Sequence, residues 1–308
     1  MKRCLSFVCL VVLFQKTMAQ AAVAPAVEGR WDITVYDGNK LHPSWLEINH
    51  SGHSQLVGQY VGIVGSARPI SKITYSNNTI SFTIPPQWER ETTDLQFEAR
   101  LQGDSLQGSF IAANGKTFQW SAHRAPSLKR TTPVVWGKPI ALFNGKDLNG
   151  WNALGKNQWI VKEGILTSPQ SGANLMSTAT FTDFKLLVEF KYPKGSNSGI
   201  YLRGRYEVQI EDGFGTEALK DRFGGVYGFI KPTEMMAKPA GEWQRYEITL
   251  TGRLVTIVAN GKTIVCNQEI PGITGGALDS KEEAPGPIYI QGDHGPIMFR
   301  KIVITPAK

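Results

Sequence analysis

Short runs of alternating apolar and polar residues recur along the first part of the chain, and this pattern constrains the fold most. The runs are separated by Gly, Asn, Asp or Pro. Side chains of a strand point alternately to opposite faces, so such runs predict half-buried antiparallel strands. The predicted strands are Trp31–Tyr36, Trp45–Ile48, Leu56–Val64, Ile70–Tyr75, Thr79–Ile84, Leu95–Leu101, Ser105–Ile111 and Thr117–Ala122. Residues 27–124 are therefore expected to form a small β-barrel or sandwich.

Residues 140–308 follow the same pattern, with longer and more apolar runs. Asn260-Gly261 between two alternating runs is typical of a type I′ hairpin turn. The predicted strands are Phe184–Tyr192, Gly199–Leu202, Tyr206–Ile210, Trp243–Leu250, Leu254–Ala259, Thr263–Val265, Ile288–Gln291 and Phe299–Ile304. The expected fold is all-β, with a two-sheet jelly-roll sandwich in this half.

A proline-rich segment, residues 125–139, separates the two halves. It contains Pro126, Pro133 and Pro139. Prolines stiffen a chain and remove hydrogen-bond donors from a strand, so this segment is predicted to be a linker between two domains.

The first 19 residues have the features of a secretory signal peptide. Lys2 and Arg3 precede a short apolar run, Leu5–Phe14, and small residues follow up to Ala19. Cleavage after Ala19 predicts a periplasmic or secreted protein, with no membrane span elsewhere. Cys266 is then the only cysteine left, which excludes an internal disulfide and predicts a small buried side chain on a strand.

Charge and motifs exclude several function classes. The formal charge of +7 includes cations of the signal peptide, and no basic run carries interleaved aromatic residues, so nucleic acid is not expected. The glycine-rich run at residues 224–228 lacks the Lys-Ser/Thr pair of a phosphate-binding loop. We therefore expect no nucleotide or organic cofactor.

Strand alternation indicates one candidate site. Within the predicted strand Tyr206–Ile210, Glu207 and Gln209 lie on the face opposite the apolar side chains. Tyr201 and Arg203, on the preceding strand, share a face by the same rule. These four side chains meet either in a cleft or on an ordinary solvated sheet face.

His294 is the only histidine after residue 123, and it lies in a glycine-bounded turn. A histidine in a loop titrates near neutral pH and is suited to proton transfer, although a surface histidine that caps a turn is the alternative. Asp293 is adjacent to it. Asp212, Glu207 and His294 are candidate ligands of a divalent cation, which would act as a Lewis acid.

The second half also carries ordered motifs that resemble the 3-keto-disaccharide hydrolase family, formerly a domain of unknown function with a concanavalin-like sandwich. They are Leu142–Trp151, Trp159–Leu166, Ser196–Arg203, Tyr206–Ile210, Gly241–Glu247 and Gln291–Gly295. The N-terminal half lies outside this resemblance. Its Gly29-Arg30-Trp31 is similar to the opening of lipocalin-like barrels.

The resemblance implies a carbohydrate-active enzyme that cleaves 3-keto-glycosides. A ketone at C3 acidifies the C2 hydrogen, a base removes it, and the C1 oxygen leaves by elimination before water adds. Glu207 and His294 are then the catalytic pair, in either order. The implied substrate-binding residues are Tyr201, Arg203, Gln209, Gln291 and Asp212.

Two other functions remain open at this point. A non-catalytic carbohydrate-binding protein can use the same fold. A conventional glycosidase can use Glu207 as one of two carboxylates, although the sequence offers no obvious second one. The sequence does not settle the aglycone, the need for a metal or the oligomeric state.

Overall fold

The computed structural model describes residues 26–308, and strands are its only regular secondary structure. The predicted all-β fold is therefore confirmed. No helix in this range has the length and apolar character needed to cross a membrane. The predicted signal peptide, residues 1–19, lies outside the described residues.

The N-terminal half is a closed barrel of eight antiparallel strands. The strands are β1 (Gly29–Asp37), β2 (Lys40–Ser51), β3 (Gln55–Val61), β4 (Arg68–Ser76), β5 (Thr79–Ile84), β6 (Leu95–Gln102), β7 (Ser105–Ile111) and β8 (Thr117–Arg124). Each strand pairs with the next, and β8 pairs with β1. Strict alternation is clearest in β6, where every second side chain is buried in the barrel core.

The C-terminal half consists of two antiparallel sheets. Its strands are β9 (Ile140–Ala141), β10 (Trp151–Leu154), β11 (Ile160–Lys162), β12 (Ile165–Ser168), β13 (Asn174–Phe181), β14 (Phe184–Lys191), β15 (Asn197–Leu202), β16 (Tyr206–Glu211), β17 (Gln244–Thr251), β18 (Leu254–Ala259), β19 (Lys262–Glu269), β20 (Gly286–Ile290) and β21 (Ile297–Pro306). One sheet has five strands in the order β10-β13-β20-β15-β16. The other has the order β11-β12-β21-β14-β17-β18-β19, with β9 paired to β21.

The apolar core lies between these two sheets and fixes the direction of the site residues. Tyr206, Val208 and Ile210 of β16 are fully buried in it. The intervening residues, Glu207 and Gln209, therefore lie on the opposite face of the five-stranded sheet. This confirms the orientation that alternation predicts for β16.

Two local expectations have different outcomes. Asn260 and Gly261 both have positive φ, at 50° and 89°, as the predicted type I′ turn between β18 and β19 requires. The prediction of a buried Cys266 is wrong, because its side chain is exposed. The pairing of β18 with β19 shifts register near Ile257 and Val258, and this irregularity breaks the alternation that the prediction assumed.

Residues 125–139 connect the halves, and no sheet in residues 26–308 extends across them. The segment packs on the C-terminal half, where Arg130 forms an ion pair of 2.6 Å with Asp183. The barrel also contacts the sandwich directly. Trp45 of β2 meets the Phe229 ring at a centroid distance of 5.3 Å. The Gly276 amide donates to the Ile63 carbonyl over 2.9 Å.

A buried carboxyl group, Asp32 of β1, lies at the same boundary. It is fully buried, and neither of its oxygens has a hydrogen-bond partner. Burial, followed by the neighbouring charge of Glu282, raises the pKa of Asp32 to about 9, while Arg253 opposes the shift. A ring nitrogen of His123, a carboxylate oxygen of Glu283 and an oxygen of Asp32 lie within 4.8 Å of one another. The barrel and the sandwich therefore meet around a buried carboxyl group whose raised pKa favours its neutral form.

Candidate active site

A pocket of about 170 Å³ opens on the face of the five-stranded sheet that points away from the core. Strands β13, β15, β16 and β20 form its floor. Loops of the sandwich and the β3–β4 connection of the barrel form its walls. Its lining residues are Val64, Gly65, Asn174, Asn197, Tyr201, Glu207, Gln209, Tyr227, Gly275, Gly276, Tyr289, Gln291, Asp293 and His294.

Glu207 is the buried acid of this pocket, with 3% of its surface exposed. It lies on β16 directly opposite Tyr201 of β15. The Tyr201 hydroxyl donates a hydrogen bond of 2.9 Å to Glu207 Oε2. Gly199 leaves room for the carboxylate, since a Cβ at residue 199 would lie 2.1 Å from Glu207 Oε1. Pairing across two strands thus places the acid and fixes its orientation.

Burial makes Glu207 an unusual carboxyl group. It raises the pKa of Glu207 from an ordinary 4.5 to about 8. The Tyr201 hydrogen bond and the charge of His294 act in the opposite sense, because both stabilise the carboxylate. A carboxyl group with a pKa near 8 accepts and returns a proton close to neutral pH, as a general acid–base catalyst must.

His294 is the second titratable group, in the loop after β20, and its side chain is 52% exposed. Its Nδ1 lies 2.6 Å from Asp293 Oδ1. This hydrogen bond raises the pKa of His294 and lowers that of Asp293, and Glu207 raises the pKa of His294 further. The ionised Asp293 carboxylate therefore favours the protonated imidazolium form of His294. The Nε2–H of His294 stays available to donate to a ligand.

Asn174 of β13 holds the loop that carries this pair. Its side-chain oxygen accepts from the Gly292 amide at 2.7 Å and from the Asp293 amide at 3.2 Å. Its side-chain nitrogen donates to the Tyr289 hydroxyl over 2.6 Å. One side chain thus ties the loop to the aromatic residue of the pocket floor.

The structure brings together most of the site residues predicted from sequence. Glu207, His294, Tyr201, Gln209 and Gln291 all line the pocket. Among the lining residues with polar side chains, sequence reasoning missed four, which are Asn174, Asn197, Tyr227 and Tyr289. Tyr289 could have been found by alternation, because it lies between two isoleucines of β20 that belong to the core and therefore points to the opposite face.

Two predicted binding residues lie outside the pocket. Arg203 has a positive φ of 54° in the turn after β15, and there the alternation of the strand no longer holds. Its guanidinium donates to the Tyr206 hydroxyl and to the Gly252 carbonyl. Asp212, beyond the end of β16, accepts a hydrogen bond of 2.9 Å from the Gly195 amide. Both residues support local turns.

The predicted cation ligands Glu207, Asp212 and His294 do not form a cluster with metal-binding spacing. Within residues 26–308, the one such group of three is Asp32, His123 and Glu283, at the boundary of barrel and sandwich. Each candidate at the pocket has another partner already, such as the Tyr201 hydroxyl on Glu207 and Asp293 on His294. A cation at the pocket stays a prediction from sequence.

Comparison with known proteins identifies the C-terminal half. Residues 138–305 match the model of the 3-keto-alpha-glucoside-1,2-lyase-like domain family, and the chain belongs to this family. A 3-keto-disaccharide hydrolase from Bacteroides thetaiotaomicron is 26% identical over an alignment of 156 residues, and the match covers 38% of this chain and 53% of that protein. The chain thus spans about half the length of this curated relative.

Two solved structures are also similar to this chain. One candidate glycosyl hydrolase from Parabacteroides distasonis is 28% identical, with a TM-score of 0.48, over 57% of this chain and 92% of its own. Another from the same organism is 24% identical, with a TM-score of 0.44, over 55% of this chain and 98% of its own. Both TM-scores lie below 0.5, so the assignment rests on the family match.

Proposed function

We propose that this chain is exported and cleaves 3-keto-glycosides by removal of the C2 proton and elimination of the aglycone, followed by addition of water. The observation that carries the proposal is the pairing of two proton-transfer groups in one pocket. Glu207 is buried, with a pKa near 8, and His294 is half exposed and held by Asp293. An elimination that needs one base and one acid uses such a pair directly.

The pocket suits one sugar ring. Its volume of about 170 Å³ is close to the ~150 Å³ of a cavity that accepts benzene, so a single six-membered ring fits. Its lining is rich in amide and hydroxyl groups. The side-chain oxygens of Asn197, Gln209 and Gln291 have no hydrogen-bond partner. Sugar hydroxyls can satisfy these acceptors after a small rotation of the amides.

Glu207 acts as the base in this proposal, because it is the deeper group and lies beneath the ring. Its carboxylate takes the C2 proton, and the electrons of the C–H bond move into an enolate whose charge lies on the C3 oxygen. The Tyr289 hydroxyl accepts its hydrogen bond from Asn174, which leaves its own proton to donate to that oxygen.

His294 acts as the acid, because it lies at the exposed rim of the pocket, where the aglycone departs. As the enolate collapses, the C1–O bond breaks, a double bond forms between C1 and C2, and the leaving oxygen takes the imidazolium proton. Water then adds: its oxygen bonds to C1, its released proton passes to the neutral imidazole of His294, and the proton held by Glu207 returns to C2. Both groups thereby regain their starting protonation states, so the cycle closes.

A conventional glycosidase is less consistent with this site. That mechanism needs two carboxylates on either side of the scissile bond. Among the described lining residues the only other carboxylate is Asp293. It is bound by His294, and the Asn174 amide lies 3.4 Å from its other oxygen.

The test is incubation with a 3-keto-glucoside and with its non-oxidised parent, followed by measurement of aglycone release. We expect release from the keto substrate alone, since only the ketone acidifies C2. Glu207→Gln should cut single-turnover release by about 10²–10⁴-fold. Equal turnover of the parent glucoside would refute the proposal and favour a conventional glycosidase.

A further inference from the structure

The barrel supplies part of the wall of the pocket. Val64 and Gly65, in the connection between β3 and β4, line it beside Gly275 and Gly276 of the sandwich. The hydrogen bond from the Gly276 amide to the Ile63 carbonyl fixes this connection against the sandwich loop. The site is therefore built by both halves of the chain, although the family match covers only the second half.

An exposed aromatic side chain lies beside this wall. Trp88 is 60% exposed, and no other tryptophan in residues 26–308 is as open to solvent. Its indole lies against the Gly65 backbone, since a Cβ at residue 65 would be 2.1 Å from its Nε1. Gly65 also has a φ of 85°, which favours glycine at this point. Val64, next to it, is 61% exposed, so the rim is apolar.

The turn that carries Trp88 is held rigidly. The Glu89 carboxylate accepts hydrogen bonds from the backbone amides of Gln87 and Trp88, at 2.7 Å and 3.0 Å. Arg68 forms an ion pair of 3.2 Å with Glu89. The Gln87 side-chain amide (Nε2) also donates to the Ser66 hydroxyl over 2.7 Å, which joins the turn to the β3–β4 connection. An indole kept exposed on such a fixed turn loses little conformational freedom when it binds a ligand.

We propose that Trp88 is an aromatic platform for the aglycone, and that the barrel thereby determines which 3-keto-glycosides are accepted. The proposal rests on the function proposed above. The pocket holds one ring, so the second ring of a disaccharide-sized substrate must lie outside it. At the barrel-side rim this second ring meets the indole, and the C–H face of a pyranose packs well on an aromatic face.

The test compares two substrates that share the 3-keto-glucosyl ring, one with a sugar aglycone and one with a methyl aglycone. The measured quantity is the ratio of their kcat/KM values. Trp88→Ala should lower this ratio about 3- to 10-fold, which is the range of an aromatic stacking contact. Trp88→Phe, which keeps an aromatic face, should retain most of the preference.

Tyr36→Ala is the matched control. Tyr36 is an exposed aromatic residue of the barrel, 41% exposed, near the end of β1, and its hydroxyl is hydrogen-bonded to Ser121 of β8. Its removal should leave both kcat/KM values unchanged. A ratio that is the same in Trp88→Ala and in the wild type, within twofold, overturns the platform.

The two proposals fail in different ways. A wild-type protein that cleaves neither keto substrate overturns the proposed function. The platform is then decided by calorimetric binding of the 3-keto-disaccharide to the wild type and to Trp88→Ala, each with intact folding by thermal melting. A weaker Kd in Trp88→Ala supports the platform, and equal Kd values overturn it.

Discussion

The Tyr201–Glu207 hydrogen bond gives a sharp test of the proposed base. Glu207 must be ionised to take the C2 proton. For a keto substrate with a p-nitrophenol aglycone, whose departure needs no acid from His294, kcat/KM should therefore rise with pH through the pKa of Glu207, near 8. The Tyr201 hydroxyl stabilises the carboxylate and therefore holds this pKa down. Tyr201→Phe removes the hydrogen bond and should move the acid limb of the profile to higher pH.

The size of the shift follows from the geometry. A hydrogen bond to a charged group contributes about 1.5–3 kcal/mol, and about 1.4 kcal/mol corresponds to one pKa unit. The Tyr201 hydroxyl lies 2.9 Å from the Gly275 carbonyl as well as 2.9 Å from Glu207. Its single proton is thus shared between two acceptors, and we take the lower end of the range. The acid limb should move from about pH 8 to about pH 9.

The assay is kcat/KM against pH for the p-nitrophenyl keto substrate, measured for wild type, Tyr201→Phe and Tyr289→Phe. Tyr289→Phe is the matched control, because it removes a hydroxyl from the same pocket that does not contact Glu207. It should lower kcat without moving the limb. An acid limb near the ordinary carboxyl value of 4.5 in the wild type, or an unmoved limb in Tyr201→Phe, would show that Glu207 is not the base.

Three further predictions concern the same titratable groups. Glu207→Gln should melt at a higher temperature than wild type at pH 9, and not at pH 4. A raised carboxyl pKa makes the folded wild type lose stability as pH rises from about 4.5 to about 8. Equal melting curves of variant and wild type at pH 9 would contradict the raised pKa. Asp32→Asn should show the same stabilisation at alkaline pH. The pKa of Asp32 is raised to about 9, so the wild type loses stability as pH rises from about 4. A variant that melts below the wild type at pH 9 would contradict the raised pKa of Asp32. His294→Ala should slow release of an alcohol aglycone by about 10²–10⁴-fold. It should slow release of p-nitrophenol far less, because a good leaving group needs no acid. Equal loss of rate for the two aglycones would show that His294 is not the acid.

Periodicity predicted the fold well, because in this chain each strand packs one face on a core. The eight barrel strands and the orientation of Glu207 and Gln209 follow from alternation alone. The rule failed where the backbone leaves a regular strand. Arg203 lies in a turn with positive φ, and Cys266 follows a register shift between β18 and β19.

The barrel side of the pocket could not be predicted from sequence. Val64 and Gly65 reach Gly275 only because the two halves pack together, and no local pattern encodes a contact over such a distance in the chain. The pKa of Glu207 was equally hidden, since it depends on burial beneath loops of the sandwich. The sequence identified an acid on the correct face, and the packing determines its proton affinity.

The opposite environments of Glu207 and His294 explain why the roles are divided between them. Burial raises the pKa of Glu207, so the carboxylate is the minor form of this group at pH 7. The ionised minority is a much stronger base than an ordinary carboxylate, and a carbon acid such as C2–H needs a strong base. His294 has the reverse bias, because Asp293 favours its charged form at the exposed rim. In the proposed mechanism the strong base is thus the buried group of the pocket, and the acid lies at the exposed rim, where the aglycone would leave.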